Sequence, residues 1–183
     1  MALIIEDGTM PEGANTFASV AEADAYLAAR GMTQTWIVPD AGQEDTNLAA
    51  KEAALIRAAD FMGTLSWKGQ QVDWSWPLCW PRKGIPQPGN TGQHIAEDTV
   101  PAKVKNACIE IAALFYAGED LMAATERGGR VQSETVGPIS ISYFSDASNE
   151  TFYPAIAGLL GEFLTEIPGQ AGNSYRMVNV VTR

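Results

Sequence analysis

The chain has 183 residues, 46% of them apolar and 19% charged, and a formal net charge of −10. This length and balance suit one soluble globular domain that buries roughly 70% of its unfolded surface without a metal or a disulfide. The acidic total excludes a general long-range attraction to nucleic-acid phosphate, and no apolar run is long enough to span a membrane.

The first residues, Ala2 to Ile5, read as a short strand or apolar arm. Glu6-Asp7 follows at once, so no secretory signal is expected and the chain is expected to be made in the cytosol. After the turn-rich stretch Gly8 to Asn15, Ser19-Val20-Ala21-Glu22 has the spacing of a capping box. The first helix then runs through Ala23, Tyr26 and Leu27 and stops at Gly31. Trp36-Ile37-Val38-Pro39 is a short apolar connection. A second helix is predicted from about Thr46 to Met62. Leu48, Leu55, Ala58, Ala59 and Met62 form its apolar stripe, Lys51, Glu52 and Arg57 lie off it, and Phe61 sits within reach of the tryptophans that follow.

Residues 63–98 form a long irregular middle, punctuated by Gly and Pro. A connection of that length is uncommon in a compact domain and is usually functional or disordered. Its densest part is Trp74-Ser75-Trp76-Pro77-Leu78-Cys79-Trp80-Pro81-Arg82-Lys83-Gly84. Proline removes backbone donors and forbids a helix interior, while the rings demand burial. Two readings stay open: the rings plug the open end of a helical bundle, or they anchor a neighbouring chain. Trp80 is assigned to the plug, with Arg82 turned outward towards an acidic neighbour or a helix C-terminus. Trp74, Trp76, Arg82, Lys83 and His94 are the candidate inter-subunit or platform contacts. Gly84 to Gly92 reads as a mobile loop.

Asp98 and Thr99 are the candidate caps of a third helix that Pro101 opens. Val104, Ala107, Cys108, Ile111, Leu114 and Phe115 give it the clearest stripe in the chain. Arg130 to Phe144 alternates like a strand, and Gly137-Pro138 makes it either a bent strand or a hairpin. Pro154 opens a last helix with Ile156, Leu159, Leu160, Phe163 and Leu164 apolar, ended by Pro168-Gly169. Ser174 to Val181 is strand-like on a glycine-containing spacer, and Arg176 and Arg183 make this tail basic. It either closes a small sheet with 2–5 and 130–144 or adds to a partner as a docking arm, with Tyr175, Arg176, Met177, Val178, Val180 and Val181 as contacts.

Catalytic chemistry finds little support. His94 is the one histidine and stands in the Pro/Gly-rich loop, where it reads as an exposed loop residue. No nucleophile elbow, Walker A loop or dinucleotide fingerprint is present. Cys79 and Cys108 lack metal-ligand spacing and read as buried thiols. No catalytic residue, cofactor or metal is expected, and the protein reads as a non-enzymatic interaction protein. Trp67-Lys68 and Trp80-Pro81-Arg82-Lys83 give a faint version of the aromatic–basic pattern used on single strands.

The order of Ser19 to Gly31, Ala53 to Met62, Leu78-Cys79-Trp80-Pro81-Arg82, Val100 to Ala107 and Val131 to Tyr143 resembles the head–tail adaptor, or head-completion, proteins of the tailed-bacteriophage neck. Phage proteins of this pattern are also labelled DnaT-like single-stranded-DNA-binding proteins. The resemblance implies a mainly α fold: a small helical bundle over residues 1–168 with a Trp/Pro-rich connector and a short β element, then an extended C-terminal arm over 169–183. It implies a virion protein assembled in the host cytoplasm. Copies of it form a ring, commonly of twelve, under the portal protein and carry the next neck or tail component. Genomic DNA passes through without specific binding. The alternative function is a single-stranded-DNA-binding replication accessory.

Overall fold

A computed structural model of the chain describes residues 2–33, 36–39, 42, 44–89, 92–122, 131–135, 140–143 and 154–167. Four helices carry it: α1 (Val20–Ala28), α2 (Leu48–Gly63), α3 (Ala102–Tyr116) and α4 (Pro154–Leu160). Two short antiparallel pairs accompany them, β1 (Gln70–Gln71) with β2 (Arg82–Lys83) and β3 (Val131–Thr135) with β4 (Ser140–Tyr143). The fold is therefore mainly α with a small β element.

The capping box at α1 is formed as the spacing predicts. Ser19 Oγ accepts the Glu22 N–H at 3.1 Å, and the Ser19 N–H donates to Glu22 Oε2 at 2.7 Å. That backbone bond holds the Glu22 carboxyl below its usual range. The exit is made by Gly31 at φ +69, a left-handed conformation that glycine adopts without strain.

The third helix is the centre of the bundle. It packs on α2 and α4 and touches α1. Val104, Ala107, Cys108, Ile111 and Phe115 are buried as the stripe predicts, and Ile109, Ala112 and Ala113 are buried too, while Leu114 is only half-buried. A helix covered on several sides has little need of a polar face, and its alanines let neighbours approach. The Asp98 and Thr99 caps are not used: Pro101 stands at the N-cap with no side-chain bond. Residues 96–99 instead close their own turn, Thr99 N–H to Ala96 O. The N-terminal arm leans on that turn so closely that a Cβ on Gly8 would lie 1.8 Å from Asp98 O.

The second helix departs from its predicted stripe. Leu55, Ala58, Ala59 and Met62 are buried, but Leu48 is 45% exposed and Lys51 is fully buried. Lys51 stands one turn before Leu55, on the inward face. Its ammonium meets Asp24 at 2.9 Å and Asp45 at 2.7 Å. The Trp36 ring lies 5.4 Å away, and its indole N–H donates to Asp24 Oδ1 at 2.6 Å. This cluster ties Trp36 and Asp45 to α1 and α2. Phe61 turns to Phe115, edge-on at 6.3 Å, rather than to the tryptophan segment.

The β elements are local. Ile5 bridges Thr16, close by in the same chain, and among the described residues, 2–5 make no pairing with β3 or β4. The β3 and β4 strands pair with Val131 opposite Tyr143 and Thr135 opposite Ser140 and a bulge between 131 and 133. The strand-like tail, with Tyr175, Arg176, Met177, Val178, Val180 and Val181, lies outside the described residues. No helix among the described residues is long and apolar enough to cross a membrane.

Candidate functional site

The irregular middle is ordered by pairing. Gln70 stands opposite Lys83 and Gln71 opposite Arg82, so residues 72–81 become the loop of a short hairpin. Gly69 makes the entry possible: it sits at φ +66, and a Cβ there would lie 2.4 Å from Lys83 O. On its other side the same stretch is stitched to the chain after α4, where Lys68 N–H donates to Phe163 O at 2.8 Å and Thr165 N–H to Ser66 O at 2.8 Å. A second narrow turn follows, with Pro86 bridged to His94 and Ile95 N–H donating to Ile85 O at 2.9 Å. The predicted mobile loop Gly84–Gly92 is thus paired at its base; Asn90 and Thr91 lie outside the described residues. His94 is exposed, as its position predicts.

The three tryptophans of the loop occupy three depths. Trp80 is fully buried and stacks edge-on with Trp67 at 6.0 Å and Phe163 at 5.9 Å. It is the plug of the bundle end. Trp76 is half-buried, with its indole N–H covered and unpartnered among the described residues, as is that of Trp80. Trp74 is 90% exposed; the next most exposed large apolar residue among the described residues, Ile37, reaches 52%. Isolated apolar side chains on a surface are ordinary, but an almost bare indole on an ordered loop is not.

That loop is held by its own polar groups. Asp73 Oδ1 accepts both the Ser75 N–H and the Ser75 hydroxyl at 2.8 Å, and these bonds keep the Asp73 carboxyl below its usual range. Trp76 N–H donates to Asp73 O at 3.2 Å, and Gln71 Nε2 donates to Leu78 O at 2.8 Å. Trp74 is therefore presented on a closed turn rather than on a loose tether.

Arg82 does not turn outward. Its Nε donates to Lys68 O at 2.8 Å and its two terminal nitrogens to Cys79 O and Gly69 O at 3.2 and 3.0 Å. A guanidinium with three carbonyls around it is a fastener of the hairpin base. Most other described cations are also engaged within the chain. Arg30 lies over the Tyr26 ring, Arg57 pairs with Asp120, Lys68 donates to Glu162 O, and Lys103 pairs with Glu162. The Asp7 and Glu22 carboxyls are lowered first by the bonds from Thr9 and Ser19, and Lys105 adds a smaller charge effect at both. Lys83, at the foot of the Trp74 hairpin, has no side-chain partner among the described residues.

Burial pushes the Cys108 thiol up to about 11 and raises Cys79 further still, so neither is a thiolate at neutral pH. No group of three or more His, Cys, Asp or Glu among the described residues is placed to hold a metal ion.

The family model described as "Putative DnaT-like ssDNA binding protein" matches the chain over residues 1–183. No curated protein and no solved structure matches it.

Proposed function

Because the chain belongs to this DnaT-like ssDNA-binding family, we propose that it is a non-enzymatic protein that binds single-stranded DNA, with Trp74 as its contact. The whole-chain family match carries the reading, and Trp74 gives it a place: an indole 90% exposed on a turn fixed by Asp73 and Ser75. Proteins that hold single strands without strong sequence preference stack bases on such rings, and the strand's own unpaired bases supply the other face.

A second reading, the head–tail adaptor of a tailed phage, is favoured by a different observation. The net charge is −10, and a channel that lets DNA slide should not grip its phosphates. In that reading copies form a ring under the portal, with Trp74 and Trp76 between neighbours. The arm 169–183 reaches the portal through Tyr175 to Val181, and a further neck component seats below. The free protein would be assembled in the host cytoplasm and reside in the virion.

One pair of measurements separates the two: anisotropy of a labelled single strand at near-physiological salt, and detection of the protein in purified particles. Binding to the strand with no copies in particles supports the first. Stoichiometric presence in particles with no strand binding overturns it in favour of the second.

A further inference from the structure

We infer that Asp7 is a covalent modification site: the Asp7-Gly8 link isomerises to isoaspartate when the N-terminal arm lifts from the body, and the folded arm suppresses the reaction through Glu6 and Thr9. This holds whatever the protein binds. Asp7-Gly8 is the one Asp–Gly step in the chain, and no Asn–Gly step occurs. Such a step is prone to the reaction because glycine, with no side chain, leaves its nitrogen open to the neighbouring carboxyl. The Gly8 nitrogen bonds to Asp7 Cγ, and the amide proton leaves with a carboxyl hydroxyl as water. A second water then opens the cyclic imide at the Asp7 main-chain carbonyl, so that the chain runs on through the side-chain carbons. The mass is unchanged, and water is the only other reactant.

The folded arm opposes each requirement of that chemistry. Glu6 is fully buried, and its Oε1 accepts the Gly8 N–H at 2.7 Å and the Met10 N–H at 3.1 Å. The first bond holds the proton that the Gly8 nitrogen must lose and points that N–H at Glu6. Asp7 Oδ1 accepts the Thr9 hydroxyl at 2.7 Å and the Thr9 N–H at 3.0 Å. These bonds fix the side chain and, the hydroxyl first, hold the carboxyl below its ordinary 3.8, so the neutral acid that cyclises is scarce. Gly8 itself is wedged: it stands at φ +116, with Asp98 O 1.8 Å from where a Cβ would lie. The turn is clamped on both sides, Asn15 N–H donating to Ile4 O at 2.9 Å and Glu6 N–H to Thr16 O at 2.8 Å. The same close fit makes the reaction a one-way release. The isomerised link adds one carbon to the main chain, and a place with no room for a Cβ has none for it. The modified arm cannot seat again on residues 96–99.

The test incubates the full chain in neutral buffer, native and in guanidinium chloride, and follows isoaspartate at Asp7 by peptide mass spectrometry with electron-transfer fragmentation. Only the open fraction of the arm reacts, so the native rate should lie at least about tenfold below the unfolded one. Glu6→Ala removes the acceptor and should bring the native rate towards the unfolded one. Glu6→Gln keeps an acceptor oxygen and should stay nearer the native rate. Circular dichroism checks that each variant keeps its helices; if Glu6→Ala does not fold, the ratio of native to unfolded rates in the unaltered chain decides. Equal rates in the native and unfolded chain, a faster native rate, or a folded Glu6→Ala that reacts no faster overturns the inference. After refolding, the isomerised chain should exchange the Glu6 and Asn15 amide protons faster than the unmodified chain while α3 stays protected. Unchanged exchange at those two amides overturns the one-way release.

Discussion

Lys51 Nζ lies 2.9 Å from Asp24 Oδ1, and that same carboxylate oxygen accepts the Trp36 indole N–H at 2.6 Å. One oxygen thus shares a fully buried ammonium with Asp45 Oδ2, which lies 2.7 Å from it, and satisfies a fully buried indole. Removing Asp24 leaves Lys51 paired with Asp45 but takes the acceptor from the buried Trp36 N–H. Asp24→Ala should lower the unfolding free energy by about 1–3 kcal/mol. Lys51→Met should cost clearly less, since Asp24 and Asp45 keep partial access to water. Urea unfolding midpoints check the order, and equal losses would contradict it.

The cluster also sets a pH dependence. The hydrogen bond from Lys51 holds the Asp45 carboxyl below its ordinary 3.8. A carboxyl depressed in the folded state stabilises the fold fully above its unfolded value, and that contribution is lost as pH falls through the folded one. At Lys51 burial pulls the pKa down, but the bonds to Asp45 and Asp24 outweigh it and the net shift is upward from 10.5. Its contribution is complete below the unfolded value and disappears as pH rises through the folded one. Stability should therefore hold between these limits and fall on both flanks. Asp45→Asn should weaken the fall on the acid side when melting temperature is followed against pH.

Gly69 links the fold to the site. At φ +66, with Lys83 O 2.4 Å and Ile85 Cδ1 2.7 Å from where a Cβ would stand, it has no room for alanine. The left-handed backbone alone costs about 1–2 kcal/mol for a residue with a Cβ, and the backbone clash adds to it. Gly69→Ala should lower the melting temperature and loosen the hairpin base, so that single-strand affinity falls as well. Unchanged affinity in a correctly folded variant would show that the hairpin does not position Trp74.

The two thiols should be silent. Cys79 and Cys108 are buried, and burial keeps both protonated at neutral pH. A thiol reagent added to the native protein should react slowly with both and quickly only after denaturation. A rapidly reacting thiol in the native state would place one of them at the surface.

Much of the architecture was legible because it is local. The Ser19–Glu22 box and the apolar period of α3 depend on residues three or four apart, and both formed. The depth of Trp80 and the exposure of His94 were also readable, one from its prolines and aromatic company and the other from a Pro/Gly-rich loop. Lys51 was misread because its partners come from 27 and 6 residues away; a lysine one turn before Leu55, with aspartates elsewhere to meet it, was the available signal. Arg82 was misread for a related reason, since its partners are backbone carbonyls and carry no side-chain signature. The β1–β2 pair, two residues per strand, is too short to show alternation, so the hairpin that lifts Trp74 outward could not be seen in advance.

The most direct measurement of the central claim is tryptophan emission of the full chain during titration with oligothymidylate. Trp36, Trp67 and Trp80 are buried and Trp76 is half-buried, so Trp74 dominates the solvent-exposed emission. The account predicts that the oligonucleotide quenches this component and that Trp74→Phe abolishes the quenching while the buried emission persists. Binding reported by anisotropy with Trp74 emission unchanged would contradict it.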